Sequence, residues 1–268
     1  MRNNFITKPR DNKIHTVAEF SQDGIKLVQH LKGENIFKTI YIALGIGSPE
    51  QELITAFKKA FKNNRINMKN LWVSLDRSLV AMRLAKLPSV KKEEISQMVS
   101  WQAIKILPNS PQDIVFSYRV IGAASADLSY VALVVAPRNT VNKIINICDT
   151  LKLTPKVIAL SSEGLLYWAR HQRINTLQPV LILDIGKNSA ELAVIHMDEL
   201  IFSRSFSLGQ SQDDDFIGKK IIGELKLFIE FYRRQKVAPD VSRIILSGDS
   251  NYAHKFLSII ETGVNLPV

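Results

Sequence analysis

The sequence predicts an α/β protein of two lobes, each a mixed β-sheet flanked by helices. Two observations carry that prediction. A run of three strand-like segments followed by a helix opens the chain and recurs after residue 180. Each occurrence also begins with a hairpin that bears an acidic residue just before a tight turn. In the first, His15 to Phe20 and Ile25 to Leu31 flank the turn Ser21-Gln22-Asp23-Gly24, and Thr39 to Leu44 is the third strand. Ser48 is placed to cap the next helix, with Pro49 at its first position and Glu50 and Glu52 in its first turn. Leu53, Phe57, Ala60 and Phe61 form its apolar face, and Asn63-Asn64 ends it.

In the second occurrence the apolar run Val180 to Leu183 ends in Asp184-Ile185-Gly186. Strands Ala190 to Ile195 and Leu200 to Phe206 follow, closing on Gly209. A polar link, Gln210 to Asp215, leads into a helix from about Phe216 to Gln235, faced by Ile221, Leu225, Phe228 and Tyr232. Arg243 to Leu246 is a last strand, and Ser247-Gly248-Asp249 turns it into a helix faced by Phe256 and Ile260.

Between the repeats, strands are expected at Leu71 to Leu75, Val80 to Leu84, Asp113 to Ile121, Ser129 to Val135 and Lys156 to Ala159. Helices are expected at Ser89 to Leu107, Pro137 to Leu151 and Ser161 to His171. The opening β-β-β-α order differs from a dinucleotide-binding domain, which starts β-α-β on a glycine-rich turn. Gly45-Ile46-Gly47 lacks that motif's third glycine.

Composition narrows the function classes. Lys plus Arg number 35 against 25 Asp plus Glu, a formal excess of +10. The excess is scattered, as Lys58-Lys59 with Lys62 and Arg65, Lys91-Lys92, and Arg233-Arg234 with Lys236. Solvated helix faces account for most of it, and an anionic membrane surface or acidic partner is the functional reading. Nucleic acid is not expected, because these stretches lack interleaved aromatics and any recognised binding motif. The single cysteine, Cys148, sits among Ile144, Ile145, Ile147 and Leu151 as core packing, which suits a reducing cytoplasm. No apolar run approaches the roughly 18 residues of a membrane span. Residues 1–13 read as a loose, basic arm.

Candidate chemistry centres on the second hairpin. A turn at Gly186 lets the backbone approach a phosphate and offer N–H groups to it, and Asp184 is placed to hold a hydrated Mg²⁺ beside it. A plain hairpin with a turn glycine explains the same residues. The five histidines show no metal-ligand spacing, and Asp213-Asp214-Asp215 suits a solvated helix N-terminus better than a cation site. No serine occupies a nucleophile-elbow pattern.

Aligning the two repeats sets Glu19-Phe20-Ser21 opposite Asp184-Ile185-Gly186, as two hairpins that would clamp a nucleotide's phosphates. With that arrangement the chain resembles the actin-like ATPase superfamily, whose core is ribonuclease H-like and which includes actin, sugar kinases and FtsA. Within it the chain is most similar to the PilM family of type IV pilus assembly proteins and the related cytoplasmic domain of GspL in type II secretion. Gly24-Ile25-Lys26-Leu27-Val28 resembles the end of the first phosphate hairpin. Arg83 to Pro88, the following helix and Asp113 to Val120 resemble the small extra subdomain of the PilM and FtsA branch. Asp184-Ile185-Gly186, Arg204 and Gly209 resemble the second hairpin. Gly223 to Lys226 with Phe231-Tyr232 resembles the helix before the adenosine motif, and Leu246 to Asp249 the motif itself.

The resemblance implies a first lobe over residues 14–160 with the small subdomain near 76–136, and a second lobe over 161–268. It implies ATP contacts at Glu19, Ser21, Lys26, Asp184, Gly186, Asn188, Glu224, Gly248 and Asp249, with Mg²⁺ held through Asp184 and Glu19. The departures point the other way. Glu19-Phe20-Ser21 stands where the family has Asp-x-Gly, and Ser21 does not favour a left-handed φ or close approach. Asp249 replaces the second glycine of the adenosine motif, and the short link Gln210 to Asp215 between Gly209 and the next helix is too small for the family's outer subdomain.

The expected function is therefore a cytoplasmic scaffold with a degenerate nucleotide cleft, at the inner face of the bacterial inner membrane. The resemblance implies a homo-oligomeric platform that binds the cytoplasmic tail of a PilN-like membrane protein and, through it, the rest of a pilus or secretion machine. Trp101 and Tyr118 are candidate anchors for that tail, against ordinary core packing as the commoner fate of such side chains. An active Mg-ATPase using Glu19 and Asp184 is the alternative, and a small-molecule kinase ranks below it for want of a catalytic base. Gly263 to Val268 reads as the approach to a further element, a membrane span in the GspL branch being one possibility.

Overall fold

A computed structural model describes residues 16–30, 37–68, 70–106, 111–209 and 213–268; the expected arm at 1–13 lies outside them. The chain divides into two compact units. The first comprises residues 1–81, 107–116 and 135–161, the second residues 82–106, 117–134 and 162–268.

The first unit is built on a five-stranded sheet. Strands β1 (Thr16–Phe20), β2 (Ile25–His30) and β3 (Phe37–Ile42) form an antiparallel meander, and β4 (Leu71–Leu75) with its neighbour Ile158–Leu160 adds to β1 in parallel. Helix α1 (Glu50–Asn64) buries Leu53, Ile54, Phe57 and Ala60 against it. Phe57 stacks on Phe20 at 5.7 Å and meets Phe61 edge-on at 5.4 Å. The capping residue of α1 is Pro49 rather than Ser48, and no side chain caps it. Instead the Ser48 and Ile46 carbonyls accept the Lys143 ammonium, the latter at 2.7 Å.

The same core takes Ile144, Ile147 and Cys148 from the helix Arg138–Thr150. Burial pushes the Cys148 thiol up to about 11. At pH 8 that alone leaves about 100-fold less thiolate than an ordinary cysteine would carry. Iodoacetamide labelling of the native protein is therefore expected to be slower than that of the unfolded chain by at least that factor. Equal rates, followed by mass spectrometry, would contradict the buried placement.

The second unit holds a four-stranded sheet of the same design. With β5 as Ala81–Leu87, β6 as Ile114–Ser125, β7 as Leu128–Pro137 and β8 as Ile158–Leu160, its strands are β9 (Val180–Ile185), β10 (Ser189–His196), β11 (Glu199–Ser207) and β12 (Arg243–Gly248). The order β11-β10-β9-β12, antiparallel then parallel, matches β3-β2-β1-β4. With α2 as Lys92–Ile104 and α3 as Arg138–Thr150, the remaining helices are α4 (Ser161–His171), α5 (Asp214–Gln235) and α6 (Ser250–Gly263). Leu181, Leu183, Ile185, Leu192 and Val194 share a core with Ile221, Leu225, Phe228 and Tyr232 of α5 and Phe256 and Ile260 of α6. On the other face Ile182, Ala193 and Ile195 meet Leu166 and Ala169 of α4.

The repeat extends to single hydrogen bonds. Ser21 N–H donates to the Gly24 carbonyl at 3.0 Å, and Gly186 N–H to the Ser189 carbonyl at 2.9 Å. Asp76 N–H donates to the Phe20 carbonyl and Asp249 N–H to the Ile185 carbonyl, both at 2.9 Å.

Strands β5, β7 and β6 form the third sheet, in that order. The sequence assigns residues near 76–136 to the first lobe, whereas 82–106 and 117–134 cluster with the second unit. The physical reason is that Leu84 and Ala132 are buried in the same core as Leu183 and Phe228.

Candidate functional site

The expected nucleotide residues fall into two groups, one in each unit. In the first, Glu19 on β1 faces Lys26 across the hairpin, and the two form an ion pair at 3.8 Å. Ser21 follows β1 directly. Its hydroxyl oxygen accepts N–H groups from Asp23 at 3.3 Å and Gly24 at 3.1 Å, and donates to the Gly24 carbonyl at 2.9 Å. The turn thus satisfies its own donors, as short hydroxyl side chains do in tight turns. Ser21 adopts no left-handed φ, so the steric objection raised on sequence grounds does not apply; its hydroxyl is what alters the turn.

Gly45 belongs to this half-site too, which the sequence reading passed over. A Cβ there would lie 1.6 Å from the Gln22 carbonyl oxygen, and Ile46 N–H donates to the Ser21 carbonyl at 2.9 Å. The loop after β3 is therefore held tight against the back of the hairpin turn. The glycine in an otherwise uninformative Gly-Ile-Gly was the available signal.

In the second unit, Asp184, Gly186, Asn188, Gly248 and Asp249 gather at one end of the four-stranded sheet. Asp184 pairs in register with Glu191 on one side and Ser247 on the other. The Asn188 carbonyl accepts Leu208 N–H at 2.8 Å, tying β11's exit to the turn. Gly248 has φ 107 and lies so close to Ile185 that a Cβ would sit 2.3 Å from its carbonyl oxygen. Only glycine meets both demands. Asp249 is exposed just after it. Glu224 of α5 pairs with Arg204 of β11 at 3.3 Å.

Beneath the second hairpin lies a polar cluster that the sequence reading missed. The Ser162 hydroxyl at the start of α4 donates to the Glu191 carboxylate and shares a hydrogen bond of 2.7 Å with the Ser203 hydroxyl. All three residues are buried. The signal was present: Glu191 occupies an inward position in the alternation of β10. The next residue, Glu163, meets Arg119 of β6 at 3.6 Å, and Arg119 also reaches Glu199 at 3.0 Å and the Leu200 carbonyl at 2.7 Å. Burial raises the Glu163 carboxyl above its ordinary range, with the Arg119 guanidinium opposing that shift.

Of the two candidate anchors, Trp101 on α2 is 70% exposed, so core packing is the wrong reading for it. Tyr118 on β6 is half-buried. Among the described residues no group of three or more His, Cys, Asp or Glu is arranged to hold a metal ion.

These features define a protein of the actin-like ATPase fold. The protein in a PilM–PilN type IV pilus biogenesis complex superposes with TM-score 0.75 at 18% identity, over 97% of this chain and 89% of that one. A Bacteroides thetaiotaomicron protein described as having an actin-like ATPase fold gives 0.57 at 10% identity, over 98% and 93%. The cytoplasmic domain of EpsL, an inner-membrane component of the Vibrio cholerae type II secretion system, gives 0.57 at 9% identity, over 95% and 97%. The model of the type IV pilus assembly protein PilM family matches residues 19–220, and the chain belongs to that family. No curated protein matches it in sequence.

Mg-ATP is the group this fold implies, and the hairpins of the two units, each taken by itself, fit it unequally. The second hairpin keeps a carboxylate, Asp184, beside a glycine turn, with Gly248 close by in the same unit. In the first, the Asp23 and Gly24 N–H groups that a phosphate would need are already taken by Ser21, and Glu19 is paired with Lys26. The first turn, as folded, offers a phosphate neither of those two N–H groups.

Proposed function

We propose that this PilM-family chain is a scaffold of a type IV pilus or type II secretion inner-membrane platform, and that its nucleotide hairpins do not turn over ATP. The observation that carries the second part is the Ser21 hydroxyl, which consumes the donors of the first phosphate turn. The first part is supported by family membership and by the PilM–PilN complex among its structural neighbours. In this reading a PilN-like membrane protein supplies a short cytoplasmic tail, which docks on the β5-β7-β6 subdomain. Trp101 is an exposed aromatic available as its anchor, and Tyr118 is a secondary contact. The chain then works on the cytoplasmic side of the inner membrane, as a homo-oligomer joined to the other platform components.

Calorimetry tests both parts. A PilN-like tail peptide is expected to bind, and Trp101→Ala to weaken it by about tenfold or more, in the range of an interfacial aromatic anchor. Mg-ATP is expected to show no binding at millimolar concentration. Micromolar ATP binding abolished by Asp184→Ala would instead mean that the nucleotide hairpins are live and would promote the ATPase reading, which phosphate release then tests. Failure of the peptide to bind would sink the scaffold.

A further inference from the structure

Single exposed apolar side chains are ordinary on a protein surface, but two large ones fastened together on separate loops are not. Leu177, between α4 and β9, is 69% exposed, and Met197, at the tip of the β10–β11 hairpin, is 65% exposed. Their loops are stitched to one another. Met197 N–H donates to the Thr176 carbonyl at 2.7 Å, Asp198 N–H to Thr176 Oγ1 at 3.0 Å, and the Thr176 hydroxyl contacts Asp198 Oδ1 at 3.1 Å.

The tip turn itself is unusual. Met197 has φ 49 and Asp198 φ 59, the left-handed pair of a two-residue hairpin for which Asn-Gly is the favoured sequence. A long apolar side chain in that position carries a conformational cost and gains no burial in return.

Cations surround the tip. Arg170 donates to the Asp198 carbonyl, Arg243 to the Asn175 carbonyl at 3.2 Å, and the exposed Arg173 follows the end of α4 beside the exposed His171. The nearby acids are each partnered, Asp198 with the Thr176 hydroxyl and Glu199 with Arg119, although Asp198 is itself exposed. Arginines at the C-terminus of α4 also suit the helix dipole, which accounts for Arg170 and Arg173 but not for Arg243, Leu177 or Met197. The tip lies at the end of the four-stranded sheet opposite Gly186, and Arg119 places β6 beside it.

We propose that this tip contacts an acidic phospholipid surface directly. Leu177 and Met197 enter the headgroup boundary, and Arg170, Arg173 and Arg243 meet the lipid phosphates. The +10 excess of the chain acts in the same direction. Such contact requires no membrane protein, and so stands apart from the tail-docking role.

Vesicle flotation with the full chain tests it. The protein is expected to float with vesicles of phosphatidylcholine mixed with phosphatidylglycerol, weakly with phosphatidylcholine alone, and much less at high salt. Combining Leu177→Ser with Met197→Ser should lower the apparent vesicle affinity about tenfold or more. Combining Arg173→Glu with Arg243→Glu should do likewise while leaving both apolar side chains in place. Thermal melting of both double variants separates loss of the contact from loss of fold. No flotation with acidic vesicles would overturn the proposal. So would equal flotation of wild type and both variants, or vesicle-independent self-association that the Ser variant abolishes while flotation persists.

Discussion

Replacing Gly248 by alanine is expected to lower stability by on the order of 3 kcal/mol, read from urea unfolding. Two costs combine there. The backbone at φ 107 is closed to L side chains, and the new Cβ would fall 2.3 Å from the Ile185 carbonyl oxygen and 2.6 Å from its nitrogen. Those are backbone atoms of a central strand, paired with β10 and β12 at once, and they cannot swing aside as a side-chain tip can. Gly47→Ala is the control, since a Cβ there meets nothing within 4 Å. It should change stability by less than about 0.5 kcal/mol. A Gly248→Ala cost equally small would mean that the end of β12 relaxes freely.

Arg119→Met is expected to cost about 3 kcal/mol, because it strands Glu163 among groups that no longer neutralise it. Glu163 and Arg119 side chains are only 12% and 17% exposed, so water offers little compensation. The pH dependence follows from the raised Glu163 carboxyl. The folded protein holds that proton more tightly than the unfolded chain does. Its contribution therefore favours folding below the ordinary carboxyl value near 4.5 and is lost as pH rises from there through the folded-state value. Glu163→Gln should remove that decline, so the difference in melting temperature between variant and wild type should shift in the variant's favour as pH rises across this window. A difference that stays constant with pH would contradict the burial of Glu163.

Elements whose signals were local were legible in the sequence. Helix α4 runs from Ser161 to His171 as its polar start and apolar spacing indicated. The succession of three strands and a helix in both repeats was legible from alternation and turn residues, whereas the parallel addition of β4 and β12 beside β1 and β9 was not. Boundaries slipped where a neighbour decides them. Helix α5 begins at Asp214, before the expected Phe216, because the Asp213 carboxylate accepts Asp215 N–H and caps it. Strand β3 ends at Ile42, short of Leu44, with Gly45 then drawn against Gln22.

The candidate site was read as a set of residue types, and that was its limit. Glu19 and Ser21 are visible as departures from Asp-x-Gly, but that Ser21 closes its own turn through two N–H groups is a matter of torsion angles. Likewise Glu191, Ser162 and Ser203 lie far apart in sequence and meet only when α4 covers the sheet. For Trp101 the residue type left partner anchor and core packing both open, and its 70% exposure on α2 removes core packing.

The first unit is assembled from three separate stretches of chain, and its last strand, β8, ends at Leu160. During synthesis the hairpin that carries Glu19 emerges early, yet Ile144, Ile147 and Cys148 must follow before its core is closed. Until then the nascent sheet exposes Phe20, Leu27 and Leu75, and the residues of β5 and α2 emerge in the interval. Contacts so distant along the chain make for slow closure and a long-lived sticky surface. Translation speed and chaperone access over roughly the first 160 residues are therefore expected to bear on the yield of this protein.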